Sequence, residues 1–197
     1  MTPAAIEKPA LHHVTLKTIK LDEMIEWYGK TVGMKPNYKF PGGAWMTNDA
    51  ANHRIALLVA PGLEDDSDKL IHTGMHHTAF EYSSIDGLLS TYERLENDDI
   101  LPHAALDHGL TTSFYYLDPD KNSVELQADN FGGDWAKSTN FMRTAPEFDA
   151  NPIGVPVDPA KLVAAWKAGA DADELHRRGY VDNEFAPAGE LDLNLPG

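Results

Sequence analysis

The apolar and polar positions of the chain form a pattern that occurs twice, and its first copy covers about residues 9–62. "LHHVTLKT" alternates apolar and polar residues as a half-buried strand does, and "LDEMIEWYGKTVG" places apolar residues at helical spacing. Asp22 is a candidate N-cap of this helix, and Gly33 is suited to end it. Three strand candidates follow, "MKPNYKF", "GAWMTN" and "HRIALLVA". The first copy is therefore predicted to be β-α-β-β-β.

The second copy covers about residues 73–129 and repeats this order. "HHTAFEYS" predicts a strand, "SSIDGLLSTYERLEND" a helix with its leucines on one face, and "ILPHAALD", "TTSFYYLD" and "SVELQAD" three further strands. His13 and His77 occupy the same point of the two copies, 64 positions apart. We therefore expect an α+β fold in which two βαβββ modules form one curved, half-closed mixed sheet and share one site.

Residues 130–197 have a different character and are predicted to form a C-terminal extension. The stretch after Asp129 is rich in Pro and Gly, with one short helix predicted at residues 134–143. "PAKLVAAWKAG" and "DADELHRRGY" predict two more helices. The extension is too apolar for a free tail, since it contains Phe131, Trp135, Phe141, Met142 and Trp166. We expect it to pack on the core or on a partner subunit.

Charge and composition exclude several classes of function. The 197 residues include 31 acidic and 16 basic ones, a formal net charge of −15, so nucleic acids and membranes are not expected partners. The absence of cysteine excludes disulfides, thiolate catalysis and cysteine-ligated metals. No apolar run approaches the roughly 20 residues of a membrane span, and "MTPAAIEKPA" lacks the apolar stretch of a signal peptide. We expect a cytoplasmic protein whose metal ligands are His, Asp or Glu.

Strand alternation places three metal-binding side chains where they can converge. Successive side chains of a strand point to opposite faces, so the residues that follow His13, His77 and Glu125 in the chain turn away from them, Val14, Thr78 and Leu126. Two imidazoles and a carboxylate can bind Fe(II) and leave open positions for substrate and O2, although zinc hydrolases use the same ligand types. The alternative is that each histidine is an ordinary buried or surface residue. Three matched groups in a duplicated architecture disfavour that alternative.

The stretch "YYLDPDKNSVEL" is the most specific motif of the chain. It is similar to a Tyr-x-x-Asp-Pro-x-Gly-Asn-x-x-Glu signature, with Lys121 in place of the glycine. Together with "HHVTL" and "HHTAF", this motif resembles the vicinal oxygen chelate superfamily, and within it the one-domain type I extradiol ring-cleaving dioxygenases. The resemblance covers residues 11–127. It implies that His13, His77 and Glu125 are the metal ligands, with the curved sheet around the metal.

The resemblance also implies a reaction. The chain would be an Fe(II)-dependent extradiol dioxygenase, with Mn(II) as the alternative metal, acting as a homo-oligomer in the degradation of aromatic compounds. It would insert both atoms of O2 into a catechol-type substrate, such as 2,3-dihydroxybiphenyl or a substituted catechol, with meta cleavage of the ring. By the same resemblance His53 is the base near the substrate and O2, and His108 and Tyr115 hydrogen-bond substrate oxygens. His12 and His76 are expected to be structural.

Two alternatives stay open at this point. One is a non-redox metal-dependent lyase or isomerase of the same superfamily, similar to glyoxalases, and the other is a small-molecule binding or resistance protein. The lyases and isomerases often take a fourth protein ligand from the last strand of the first module. "HRIALLVA" offers no carboxylate or amide for that position. This absence favours an open site and oxygen chemistry.

Overall fold

The fold is built from the two modules that the sequence pattern predicts. The protein is described here by a computed structural model covering residues 7–196, so part of the N-terminal stretch expected to lack a signal peptide lies outside the described residues. The chain divides into two compact units, Met1–Asp65 and Asp66–Gly197. Each unit contains one βαβββ module, and the α+β class is confirmed. Within the described part of the chain, every helix is too short or too polar to cross a bilayer.

The first module is a four-stranded sheet with one helix. Its elements are β1 (Val14–Lys17), α1 (Leu21–Val32), β2 (Lys35–Phe40), β3 (Gly43–Thr47) and β4 (Ile55–Leu58). The strand order is β1-β4-β3-β2, with β1 parallel to β4 and the other pairs antiparallel. Gly33 ends α1 as predicted, with a φ of 68° and its N–H donated to the carbonyl of Tyr28. Asp22 lies in the first turn rather than at the N-cap, because the helix begins one residue earlier, at Leu21, and the Asp22 carboxylate binds Lys39 at 2.6 Å.

The second module repeats this plan in the second unit. Its elements are β5 (His77–Tyr82), α2 (Ile85–Glu96), β6 (Ala104–Asp107), β7 (Thr111–Leu117) and β8 (Ser123–Asp129). Strand β5 is parallel to β8, while β8, β7 and β6 pair antiparallel. Ser84 caps α2 by accepting a hydrogen bond from the backbone N–H of Gly87. Leu88, Leu89 and Phe114 are fully buried, which places the core of this module between its helix and its sheet.

The strands are hydrogen-bonded as two mixed sheets, one in each module, where the sequence predicted one curved sheet. In both modules the opening strand pairs in parallel with the last strand of the same module, β1 with β4 and β5 with β8. The hydrogen-bond ladder of each module is therefore completed within that module, and each sheet has its own two edge strands.

The C-terminal extension packs on the second module. It contains α3 (Trp135–Thr144), α4 (Pro146–Ala150), β9 (Val155–Pro156), α5 (Pro159–Lys167) and α6 (Ala172–His176), followed by a π-helical turn, Arg177–Val181. Strand β9 adds to the edge of the second sheet by pairing with β6. Trp166 on α5 donates its indole N–H to Asp86 on α2 at 2.7 Å. Further along the chain, Leu191 and Leu193 pack against a buried cluster that includes Tyr115.

Candidate active site

Glu125 is a buried carboxylate near the centre of the second sheet. It lies on β8, between β5 and β7, with 5% of its surface exposed. His77 opens β5 and places Nε2 3.1 Å from Oε2 of Glu125. Tyr115 lies directly opposite on β7 and donates its hydroxyl to Oε1 at 2.9 Å. Each carboxylate oxygen therefore has a side-chain partner, and the orientation of the group is fixed.

The surroundings of Glu125 favour its charged form. Burial raises the pKa of this carboxyl, but hydrogen bonds from His77, Ser113 and Tyr115 outweigh burial and hold the pKa below its usual value. A carboxylate that is buried and still ionised at neutral pH is the form that a metal ion requires.

The hydroxyl of Tyr115 also contacts His108, which follows β6. Nε2 of His108 lies 2.8 Å from the tyrosine oxygen, and Nδ1 contacts the backbone carbonyl of Ile153. Because a carbonyl can only accept, Nδ1 of His108 carries a hydrogen. Burial, followed by the charge of Glu125, raises the pKa of Tyr115 far above its usual value, so the phenol keeps its proton at neutral pH. These contacts form a continuous chain from a backbone carbonyl to the buried carboxylate.

In the first module, three histidines lie together at the start of β1 and β4. His13 directly precedes β1, and His53 lies two residues before β4, the strand parallel to β1. The rings of His13 and His53 are 4.3 Å apart between centroids, and Nδ1 of His12 is 3.0 Å from Nδ1 of His13. The three rings offer nitrogen atoms within 4.8 Å of one another. Burial, followed by the neighbouring rings of His13 and His12, lowers the pKa of His53.

His12 lies beside His13 although alternation was expected to separate them. The alternation rule holds only inside a strand, and β1 begins at Val14. Both histidines therefore lie outside the ladder, and their rings can approach each other with the edge of one against the face of the other. His12 therefore lies in one cluster of rings with His13 and His53.

His76 also lies beside its neighbouring histidine, where strand alternation was expected to separate them. Its Nδ1 lies 2.7 Å from Nδ1 of His77, and its Nε2 lies 2.8 Å from the backbone carbonyl of Leu193 in the C-terminal extension. His103 makes a related contact, with Nδ1 3.0 Å from the carbonyl of Asp192. The repeated His-His doublet was the sequence signal for His76. The contact with Leu193 joins residues 117 positions apart, and no local pattern predicts it.

The turn before β8 holds Glu125 in place on its strand. Asp118 is buried, and its carboxylate accepts hydrogen bonds from the backbone N–H groups of Asp120 and Asn122 and from the Asn122 side chain. Lys121 adopts a φ of 60°, in the left-handed region that favours glycine. The departure from the family signature at Lys121 thus leaves the turn intact.

The predicted site residues form two groups, one in each unit. The second unit brings together His77, Glu125, Tyr115 and His108. The first unit brings together His13 and His53.

The donor atoms of the second group suit a metal ion. Two ligands that bind one ion at about 2.1 Å and at right angles lie about 3 Å apart, and Nε2 of His77 and Oε2 of Glu125 are separated by 3.1 Å. Strand β4, Ile55–Leu58, consists of apolar residues only and supplies no further donor. Imidazole and carboxylate are ligands that iron, manganese and zinc all accept.

The chain is similar to known proteins over most of its length. Residues 10–126 match the family described as the Glyoxalase/Bleomycin resistance protein/Dioxygenase superfamily. Two proteins of Rhodococcus globerulus, biphenyl-2,3-diol 1,2-dioxygenase 2 and biphenyl-2,3-diol 1,2-dioxygenase 3, are 39% and 37% identical to it, and each match covers 88% of this chain and 90% of the relative. The first match is 174 residues long, so it includes part of the C-terminal extension.

One solved structure supports the fold alone. The crystal structure of a glyoxylase/bleomycin resistance protein/dioxygenase domain from Frankia sp. EAN1pec has a TM-score of 0.51 with this chain at 18% identity. The likeness covers 62% of this chain and 93% of that domain.

Proposed function

The chain belongs to the glyoxalase/bleomycin resistance protein/dioxygenase superfamily, and we propose that it is an Fe(II)-dependent extradiol dioxygenase acting on a catechol-type substrate such as 2,3-dihydroxybiphenyl. With its two curated relatives it belongs to the ring-cleaving dioxygenases of that superfamily. The observation that carries the proposal is the buried, ionised Glu125 held between His77 and Tyr115. An ionised carboxylate is the form that binds a cation, and with the imidazole nitrogen beside it two of the three ligands of a facial triad lie together.

The proposed metal ligands are His13, His77 and Glu125. The first two occupy equivalent positions in the two modules, and the pair of His77 and Glu125 has the spacing of two ligands of one ion. Fe(II) is the proposed metal and Mn(II) its alternative, because both accept two imidazoles and one carboxylate. His13, His77 and Glu125 would hold the metal, which when bound would supply the one-electron chemistry that a reaction with O2 requires.

The protein's own residues would hold the substrate and move protons. Tyr115 keeps its proton at neutral pH, so the one hydroxyl hydrogen that it donates to Glu125 can be donated to a substrate oxygen instead. His108 is fixed by the carbonyl of Ile153 and can exchange a proton with the Tyr115 oxygen. His53 is the proposed base for a substrate hydroxyl, since its lowered pKa keeps the imidazole neutral and able to accept a proton.

Oxygen uptake under defined metal loading tests the proposal. Protein purified without oxygen and loaded with Fe(II) or Mn(II) is mixed in air with catechol, 3-methylcatechol or 2,3-dihydroxybiphenyl. We expect one O2 consumed per catechol and a yellow ring-opened product. Absence of uptake with all three substrates and both metals would refute the proposal. Turnover of a non-redox substrate with zinc or nickel in the same protein would favour a lyase or isomerase instead.

A matched pair of variants assigns the activity to the site. Glu125→Gln keeps the size of the side chain and removes its charge, so we expect loss of metal and of turnover. Glu81→Gln makes the same change at an exposed position of β5, where the carboxylate contacts only Gln127 at 3.2 Å among the hydrogen bonds of the described residues. This control should retain wild-type activity.

A further inference from the structure

We propose that His76 and the backbone carbonyl of Leu193 fix the tautomer of His77, so that Nε2 of His77 is free to bind a metal. This inference rests on the proposed function, because it takes His77 as a metal ligand. It adds a positioning role for His76 and for the end of the C-terminal extension. A metal-binding histidine usually donates its other ring N–H to a fixed acceptor, which sets both tautomer and ring orientation.

The hydrogens of the two rings follow from what each partner can do. A carbonyl only accepts, so Nε2 of His76, 2.8 Å from the oxygen of Leu193, must carry the hydrogen. In a neutral imidazole the other nitrogen is then a bare acceptor. Nδ1 of His76 is 2.7 Å from Nδ1 of His77, so Nδ1 of His77 must donate. A hydrogen is thereby fixed on Nδ1 of His77, and Nε2 is the nitrogen through which this ring can bind a metal.

Nε2 of His77 faces a carboxylate oxygen. It lies 3.1 Å from Oε2 of Glu125, and in the metal-free protein a hydrogen on Nε2 is donated to that oxygen. A metal ion bound by both atoms would take the place of this hydrogen, provided that Nδ1 of His77 keeps its own. The contact between His76 and Leu193 therefore favours the form of His77 that binds a metal through Nε2.

The carbonyl of Leu193, which contacts His76, is held in place by packing. Leu191 and Leu193 lie against a buried cluster of Ala104, Leu106 and Tyr115. Between these two leucines, the carbonyl of Asp192 accepts from Nδ1 of His103 at 3.0 Å. The segment from Leu191 to Leu193 is thus tied to the second module by apolar contacts and by a second histidine.

The same kind of contact occurs at His108. Its Nδ1 contacts the carbonyl of Ile153, another residue of the extension, and its Nε2 contacts the hydroxyl of Tyr115. Three histidines of the second module, His76, His103 and His108, therefore each place one ring nitrogen on a backbone carbonyl of the C-terminal extension. Carbonyl anchoring of histidine rings is a recurrent role of this segment.

Two substitutions of His76 separate its acceptor role from its bulk. His76→Phe keeps a ring of similar size and removes both nitrogens. His76→Asn places an amide oxygen close to the position of Nδ1, where it can still accept from His77. His72→Phe is the matched control, since His72 is exposed and contacts only Asp66 among the hydrogen-bonding partners in the described residues.

The readout is the affinity for Zn(II), measured by competition with a coloured chelator. Loss of an outer-shell partner lowers metal affinity by about 10–100-fold, and we expect that loss for His76→Phe. The Asn variant should recover most of the affinity, and His72→Phe should match the wild type. Wild-type affinity in a folded His76→Phe protein would overturn the inference, as would failure of the Asn variant to recover any of the loss.

A second measurement does not depend on how any variant folds. In the wild-type protein loaded with Zn(II) and labelled with ¹⁵N, an N–H···N hydrogen bond gives a scalar coupling between its two nitrogens. We expect that coupling between Nδ1 of His77 and Nδ1 of His76, with the hydrogen on His77. A hydrogen on Nδ1 of His76, or absence of the coupling, would overturn the inference.

One further variant distinguishes failure of this inference from failure of the proposed function. His77→Ala removes the proposed ligand itself. If His77→Ala retains wild-type affinity for Zn(II), His77 is not a ligand and the proposed site is wrong. If His77→Ala loses the metal and His76→Phe does not, the site stands and the positioning role of His76 is refuted.

Discussion

The two modules contain the same His-His doublet, but the residues that contact the doublet differ. In the first module, His12 and His13 lie before β1 and are exposed, with His53 as their neighbour. In the second module, His77 is part of β5, and His76 is anchored to the extension through Leu193. Within residues 7–196, neither ring of the first doublet has a backbone carbonyl as acceptor.

The difference follows from where the C-terminal extension packs. The extension pairs its strand β9 with β6 and places the carbonyls of Asp192 and Leu193 beside histidines of the second module. Duplication thus supplies two similar doublets, and a segment outside the repeat orients one of them. Equivalent positions in a repeat therefore need not have equivalent hydrogen-bond partners.

The largest effect should follow loss of a proposed ligand from either module. We expect His13→Ala and His77→Ala to lower metal affinity by more than about 100-fold, beyond the cost of an outer-shell change, and to abolish turnover. Metal analysis after anaerobic dialysis and oxygen uptake measure the two effects. Both variants should stay folded by circular dichroism. If one of them retains metal and turnover, the two doublets do not share one ion.

A second prediction separates acid–base residues from ligands. His53→Gln in the first module and Tyr115→Phe in the second should lower kcat by about 10²–10⁴-fold, the usual range for loss of an acid–base group. Metal affinity should fall by much less than in the two ligand variants, because neither His53 nor Tyr115 is a proposed ligand. Steady-state oxygen uptake at saturating catechol gives kcat, and chelator competition gives the affinity. An unchanged kcat in His53→Gln would assign the proton transfer to the second module alone.

A third prediction tests whether the carbonyl contact of the second doublet makes its outer histidine more important than that of the first. His12→Phe should lower Zn(II) affinity by less than about threefold, well below the 10–100-fold typical of a fixed outer-shell partner, because no carbonyl fixes the hydrogens of His12. Deleting residues 191–197 should lower affinity about tenfold, because it removes the acceptor of His76. Chelator competition measures both. Equal losses in His12→Phe and in the deletion would show that the extension adds no special support.

The sequence predicted the parts of this arrangement that depend on local rules. The left-handed end of α1 at Gly33, the repeated βαβββ order and the placement of Glu125 on β8 follow from residue preferences and periodicity. The signature also marked position 121 as a place where glycine is usual, and Lys121 has a positive φ there. These features need only a few neighbouring residues for their prediction.

The parts that the sequence could not predict depend on contacts between distant residues. The carbonyl of Leu193 reaches His76 across 117 positions, and that of Ile153 reaches His108 across 45. Every residue has a backbone carbonyl, so no sequence motif shows which carbonyl a given histidine contacts. His12 was missed for a different reason, since β1 begins one residue after the doublet and strand alternation does not apply there.

The smallest predicted effect compares the turns that precede the last strand of each module. The carboxylate of Asp49 accepts the backbone N–H of Ala51 in the first turn, and that of Asp118 accepts two backbone N–H groups in the second. Asp118 is buried, whereas Asp49 is exposed. Only the second of these turns contains a non-glycine residue in the left-handed region, Lys121 with a φ of 60°.

Lys121→Gly should therefore stabilise the second module slightly. The left-handed conformation costs a non-glycine residue about 1–2 kcal/mol, and the greater freedom of unfolded glycine offsets about 0.5–1 kcal/mol of the gain. We expect the free energy of unfolding in urea to rise by about 0.5–1 kcal/mol, with Zn(II) affinity unchanged. Lys17→Gly on β1 is the control, because its φ is not positive, and glycine there should destabilise by about 0.5–1 kcal/mol. If Lys121→Gly and Lys17→Gly are destabilised alike, the left-handed conformation of Lys121 is not strained. The turn before Glu125 is then held by the hydrogen bonds of Asp118 alone.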